Sequence, residues 1–165
     1  FLQEQISFGS TCVSELKMAT ASLHGSKYTD PMTARNFFES LVYRQILDTL
    51  VDIREDGEVV AALAKSWKIS DVGRVFDFFL DEKSYFSDGS KITAEDVALS
   101  FSRFFWGVKN HNFGTLTSLV QGVGKVEVKK IVSGIEVVST DQVRFRLNHR
   151  YPSFLKLTEV SPLLG

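Results

Sequence analysis

Catalysis needs a nucleophile beside its base, paired carboxylates or a phosphate-cradling loop, and metal binding needs ligands at short, regular spacing. The three histidines, His24, His111 and His149, lie far apart with no local spacing motif, so they read as ordinary surface imidazoles and no metal site is expected. Cys12 is the single cysteine, which excludes an internal disulfide and a Cys-rich zinc site. It follows Phe8-Gly-Ser-Thr, a run only loosely like that before a lipid-modified cysteine; a small apolar thiol is one reading and a lipid attachment point the other. Gly122-Val-Gly124 lacks the strand, third glycine and helix of a dinucleotide fingerprint and reads as a loop. Glu95-Asp96 falls in the first turn of an expected helix, where negative charge suits the helix dipole. No catalytic constellation and no cofactor is expected.

The elements that would have to position any site are those of one ordinary globular unit. The chain has 165 residues, 44% hydrophobic and 24% charged, enough to bury a core without staples. Its fourteen phenylalanines read first as core and second as ligand contacts. Nineteen basic and twenty acidic residues leave a net charge of -1, too balanced for a nucleic-acid or membrane-surface partner. No run of about 18 apolar residues that could span a bilayer is present.

Along the chain, Leu16 to Ser22 reads as a strand ending in a polar loop, Leu23 to Pro31, broken by Gly25 and Asp30-Pro31. From Thr33 to Leu50, Phe37, Phe38, Leu41, Val42, Ile46 and Leu50 recur at helical spacing and predict an amphipathic helix. Two short strands, Val51 to Arg54 and Glu58 to Ala61, flank the Asp56-Gly57 turn. After Leu63 to Ile69 and a turn at Ser70 to Gly73, Val75 to Leu80 is a strand with its apolar side chains inward, suggesting an antiparallel meander. Asp88-Gly89 is another turn. Thr93-Ala-Glu-Asp96 has the spacing of a helix cap, with Val97, Phe101, Phe104 and Phe105 as the buried face that follows. Strands are expected at Val126 to Lys130, where charged and apolar residues alternate, at Ile135 to Val138 and at Val143 to Leu147; Pro152 opens a last helix through Leu157.

Several of these segments, in this order, resemble the extracellular solute-binding protein family 5, which includes oligopeptide, dipeptide and nickel-binding receptors. The residues that carry the resemblance are Leu16 to Ser22, Tyr43-Arg-Gln-Ile-Leu-Asp-Thr-Leu-Val51, and Asp56-Gly-Glu-Val-Val-Ala-Ala-Leu-Ala-Lys-Ser-Trp67-Lys-Ile-Ser70. They continue through Val75 to Leu80, Tyr85-Phe-Ser-Asp-Gly-Ser90, Lys91-Ile-Thr-Ala-Glu-Asp-Val-Ala-Leu-Ser-Phe101, Ile135 to Leu147 and Tyr151-Pro-Ser-Phe-Leu155.

The resemblance implies a mixed α/β (α+β) fold, the N-terminal part of a bilobal periplasmic-binding-protein type II (class C) architecture with antiparallel hairpins and two main helices. Family members are several times longer. On that comparison residues 1–15 are an N-terminal extension, 16–50 the start of the large lobe, and 51–165 a small subdomain returning toward it, with the second lobe absent. The function implied is that of a non-enzymatic receptor for a peptide or similar small solute, serving the membrane permease of an ABC transporter. It would be a monomer, without cofactor, periplasmic or extracellular and lipid-anchored if Cys12 is modified. A cytoplasmic ligand-sensing domain of the same fold in a transcription regulator and a nickel-chelate receptor are the alternatives. In the family the junction after the first strand lines the cleft, which points to Ser22, Leu23, His24 and Tyr28 as ligand contacts. The stretch after the capped helix presents an aromatic residue to the ligand, which points to Phe113.

Overall fold

A computed structural model describes residues 43–107, 118–123 and 130–159. Residues 43–46 are helical and Leu47 N–H still donates to the carbonyl of Tyr43, but the expected continuation to Leu50 does not occur. The carbonyls of Thr49 and Leu50 instead accept from the amides of Leu63 and Ala64, so tertiary pairing draws the chain out of the helix. Ile46, expected on the buried face, is 57% exposed. The part of this helix before residue 43 and the expected strand at 16–22 lie outside the described residues, as does the one at 126–130 save Lys130, which sits in a bend.

Strands β1 (Val51–Ile53) and β2 (Val59–Ala61) then form an antiparallel hairpin. Its turn places Gly57 at φ 84°, a backbone conformation that glycine adopts without a Cβ penalty. The expected meander becomes a four-stranded antiparallel sheet with a different order. Strands β3 (Ala64–Ser70), β4 (Val75–Leu80), β5 (Ile135–Ser139) and β6 (Gln142–Arg146) are arranged β3-β4-β6-β5. The β5–β6 hairpin therefore docks through its second strand on β4, and helix α1 (Ala94–Gly107) lies in the connection between β4 and β5.

Alternation along the strands divides the sheet into two faces. Phe76 and Phe78 of β4, Val143 and Phe145 of β6 and Ile135 of β5 point to one side, where they are buried with Val97, Ala98, Phe101, Phe104 and Phe105 of α1. Phe145 is the hub. Its ring centroid lies 5.6 Å from Phe78, 4.8 Å from Phe101 and 5.5 Å from Phe154, the first two edge to face. Phe154 and Leu155, on the short helix α2 (Phe154–Glu159), close the cluster from the C-terminal side, with Phe154 also 4.8 Å from Phe76. The reading of the phenylalanines as core holds for every one of these. Helix α1 starts where the cap spacing places it: Thr93 N–H and Oγ–H both donate to Asp96 Oδ2, at 2.8 and 2.6 Å, and Asp96 N–H donates back to Thr93 Oγ1 at 3.3 Å.

Candidate functional site

The opposite face of the sheet is built from charges. Cross-strand register places Lys68, Asp77, Arg144 and Glu136 in one row across β3, β4, β6 and β5. Asp77 is only 5% exposed although it faces away from the phenylalanine core. Its Oδ1 accepts from Arg144 Nε at 2.7 Å and from Gln142 Nε2 at 2.9 Å, which offsets the cost of burying the carboxylate. Arg144 also approaches Glu136 at 3.8 Å, and Arg146 holds the same carboxylate at 3.0 Å. The hydrogen bond to Asp77, above all, together with the charges of Asp77 and Glu136, raises the Arg144 pKa further above its already high ordinary value, against the opposing effect of burial. These guanidinium groups are already matched by carboxylates, so the row is a structural ladder and a poor receptor for an added anion.

A second feature lies at the end of this sheet. The segment 118–121 runs beside the end of β6: Val120 bridges to Leu147, Gln121 N–H donates to the Arg146 carbonyl, and Asn148 N–H donates to the Leu119 carbonyl at 2.7 Å. Side chains tie the same two stretches. Asn148 Nδ2 donates to the carbonyls of Ser118 at 2.8 Å and Val120 at 3.4 Å, and Gln121 Nε2 donates to the Leu147 carbonyl at 3.2 Å. Gly134 completes the junction, its N–H donating to the Gln121 carbonyl while Arg146 N–H donates to the carbonyl of Gly134. A Cβ at Gly134 would collide with the backbone oxygen and nitrogen of Gln121, so only glycine lets the two backbones meet. Gly122, of the glycine pair read as a loop, is in a turn at φ 80° against Ser133.

The ligand contacts expected from the sequence, Ser22, Leu23, His24, Tyr28 and Phe113, all lie outside the described residues, as do His24 and His111 of the histidine set and Cys12. His149 is exposed just beyond β6. Among the described residues no group of three His, Cys, Asp or Glu side chains is placed to hold a metal ion, and no helix is long and apolar enough to cross a membrane. What the described residues supply is a scaffold, and the junction around Asn148 and Gly134 is its least anticipated part. Only the isolated glycine at 134, just before an apolar strand, hinted at such a close approach.

Known proteins share this arrangement. Residues 58–163 match the family described as bacterial extracellular solute-binding proteins, family 5 (middle region), and the chain belongs to that family. It is 27% identical over 138 residues to the periplasmic murein peptide-binding protein MppA of Escherichia coli (strain K12), covering 78% of this chain and 25% of that protein. It is also 27% identical over 120 residues to the nickel-binding periplasmic protein of the same organism, covering 73% of this chain and 20% of the relative. Among solved structures, a periplasmic oligopeptide-binding protein from Borrelia burgdorferi superposes with a TM-score of 0.68 at 26% identity, over 79% of this chain and 27% of that one. The chain thus spans about a quarter of the length of the relatives it matches. All three are named as binding proteins, and the mixed α/β fold with antiparallel sheets is part of their bilobal architecture.

Proposed function

We propose that this chain is part of one lobe of an extracytoplasmic receptor that binds a peptide and delivers it to the permease of an ABC importer. The observation that carries the reading is the family match across 58–163 together with the likeness to the oligopeptide-binding structure. In this reading residues 1–15 are an extension, 16–50 begin the large lobe and 51–165 form the small subdomain returning toward it. Ser22, Leu23, His24, Tyr28 and Phe113 face the ligand, whose backbone pairs with the chain as an added strand would. The mechanism is a population shift. A ligand that bridges two lobes stabilises the closed form, and a permease that recognises that form receives loaded receptor in preference to empty. The receptor acts as a monomer, performs no chemistry on its ligand and works outside the cytoplasmic membrane with Cys12 as a free thiol. The periplasmic relatives argue against the cytoplasmic sensor.

A nickel chelate is the second reading, favoured by one observation: the nickel-binding relative is as similar to this chain, at 27% identity, as the murein peptide-binding one. A thermal-shift screen of the full-length gene product and of residues 1–165, against a mixed di- to pentapeptide library and against nickel chelates, separates the two. A ligand at a hundred times its Kd stabilises by about 2.7 kcal/mol, a readily measured shift. Stabilisation of the full-length protein by peptides and not of the 165-residue chain is the expected result. Stabilisation by a chelate alone overturns the peptide assignment.

A further inference from the structure

Helix α1 ends at Gly107 and the described chain resumes at Ser118, so the stretch carrying Phe113 leaves and re-enters the scaffold at two defined points. Both points are tied to one strut. On the exit side, Ser102 of α1, fully buried, accepts through Oγ from the Val132 amide at 2.9 Å. On the return side, Gly134 donates to Gln121, whose own amide is bound to β6. Residues 132–134 thus set the distance between exit and return. Asn148 sets the return in the other direction, since its side-chain amide and its backbone amide hold the carbonyls of Ser118, Leu119 and Val120 in succession. Asn148 is itself held in place from the other side, because the preceding Leu147 amide donates to the Arg74 carbonyl at the start of β4.

Asn148 is exposed, and hydrogen bonds at an exposed position contribute little to stability, on the order of 1 kcal/mol or less. Three consecutive carbonyls held by one residue nevertheless define where the returning backbone lies. We propose that Asn148 is a positioning residue for ligand binding: it fixes the return of the 108–117 stretch so that Phe113 meets the ligand in one place. This rests on the reading of Phe113 as a ligand contact. Fixing the end of a binding segment in advance removes an ordering cost that would otherwise be charged against affinity.

The test is a double-mutant cycle on the full-length gene product, using as probe the tripeptide most strongly retained from a mixed tripeptide library by the unaltered protein. Asn148→Ala is expected to weaken binding about fivefold to tenfold with Tm changed by no more than a few degrees. Asp77→Asn, which weakens the opposite face of the sheet, is expected to lower Tm and leave affinity unchanged, showing what lost stability alone does. In a Phe113→Ala background the Asn148→Ala effect is expected to vanish. Undiminished affinity in Asn148→Ala, or an equal loss with and without Phe113, overturns the positioning role while leaving the receptor reading intact. If Phe113→Ala alone binds the probe as tightly as the unaltered protein, the contact assignment falls and the positioning proposal with it. Retention of no tripeptide at all overturns both.

Discussion

The two faces of the four-stranded sheet use the same backbone and opposite chemistry. On one, Phe76, Phe78, Phe101, Phe145 and Phe154 interlock, and the stability comes from area removed from water and ring packing. On the other, Asp77, Arg144, Glu136 and Arg146 form a row whose members are held by one another. The difference teaches that only the first face is a source of net stability. The second chiefly avoids a loss, because a desolvated Asp77 is tolerable only while Arg144 and Gln142 remain beside it.

The largest expected effect comes from the aromatic hub. Phe145→Ala opens a cavity bounded by Phe78, Phe101 and Phe154 and is expected to cost about 3–5 kcal/mol, read from denaturant unfolding. On the charged face, Asp77→Ala leaves Arg144 and Gln142 without their shared acceptor and is expected to cost roughly 1–3 kcal/mol. The paired change Asp77→Val with Arg144→Leu is expected to recover most of that loss. A double variant no more stable than Asp77→Ala would show that the row contributes net stability after all.

A smaller change tests the seam between the faces at the start of α1. Thr93→Ala removes the reciprocal cap with Asp96 and is expected to cost about 1 kcal/mol. Val72→Gly is expected to act in the other direction. Val72 sits at φ 54° in the β3–β4 turn, between Asp71 at 48° and Gly73 at 83°, and is 75% exposed. A β-branched residue is strained there, so glycine is expected to raise stability by up to about 1 kcal/mol; a loss would mean that the valine side chain is covered in solution.

The smallest effect concerns acid. Asp88 is held below the ordinary carboxylate value by the hydroxyl and amide of Ser90, and Asp141 chiefly by the Ser139 hydroxyl, both at exposed turns. Each is more acidic folded than unfolded, so below the unfolded value of about 3.9 the unfolded chain binds more protons. The stabilisation is present above that pH and is lost as pH falls through the folded value. Asp88→Asn with Asp141→Asn is therefore expected to lower the midpoint at pH 7 slightly and to flatten its decline between pH 5 and 3, measured by urea unfolding.

Local signals sufficed where one stretch of chain makes its own structure. Thr93-Ala-Glu-Asp96 carries both partners of its cap, Asp56-Gly57 carries its own turn, and Val75 to Leu80 is apolar enough to be a strand in any register. The order of family-like segments likewise pointed to the family and fold, which the match over 58–163 then showed. The contacts expected at Ser22, Leu23, His24, Tyr28 and Phe113 came from that likeness alone and keep the standing of a proposal. Partners distant in sequence were illegible for a physical reason. The end of the helix before Leu50 depends on Leu63 and Ala64, and the β3-β4-β6-β5 order depends on which edge of a later hairpin meets β4. The burial of Asp77 depends on Gln142 and Arg144, and the close approach at Gly134 depends on Gln121. In each case the deciding energy is a hydrogen bond or a packed contact between residues that only the folded chain brings together, and a pattern read along one strand or one helix contains no term for it.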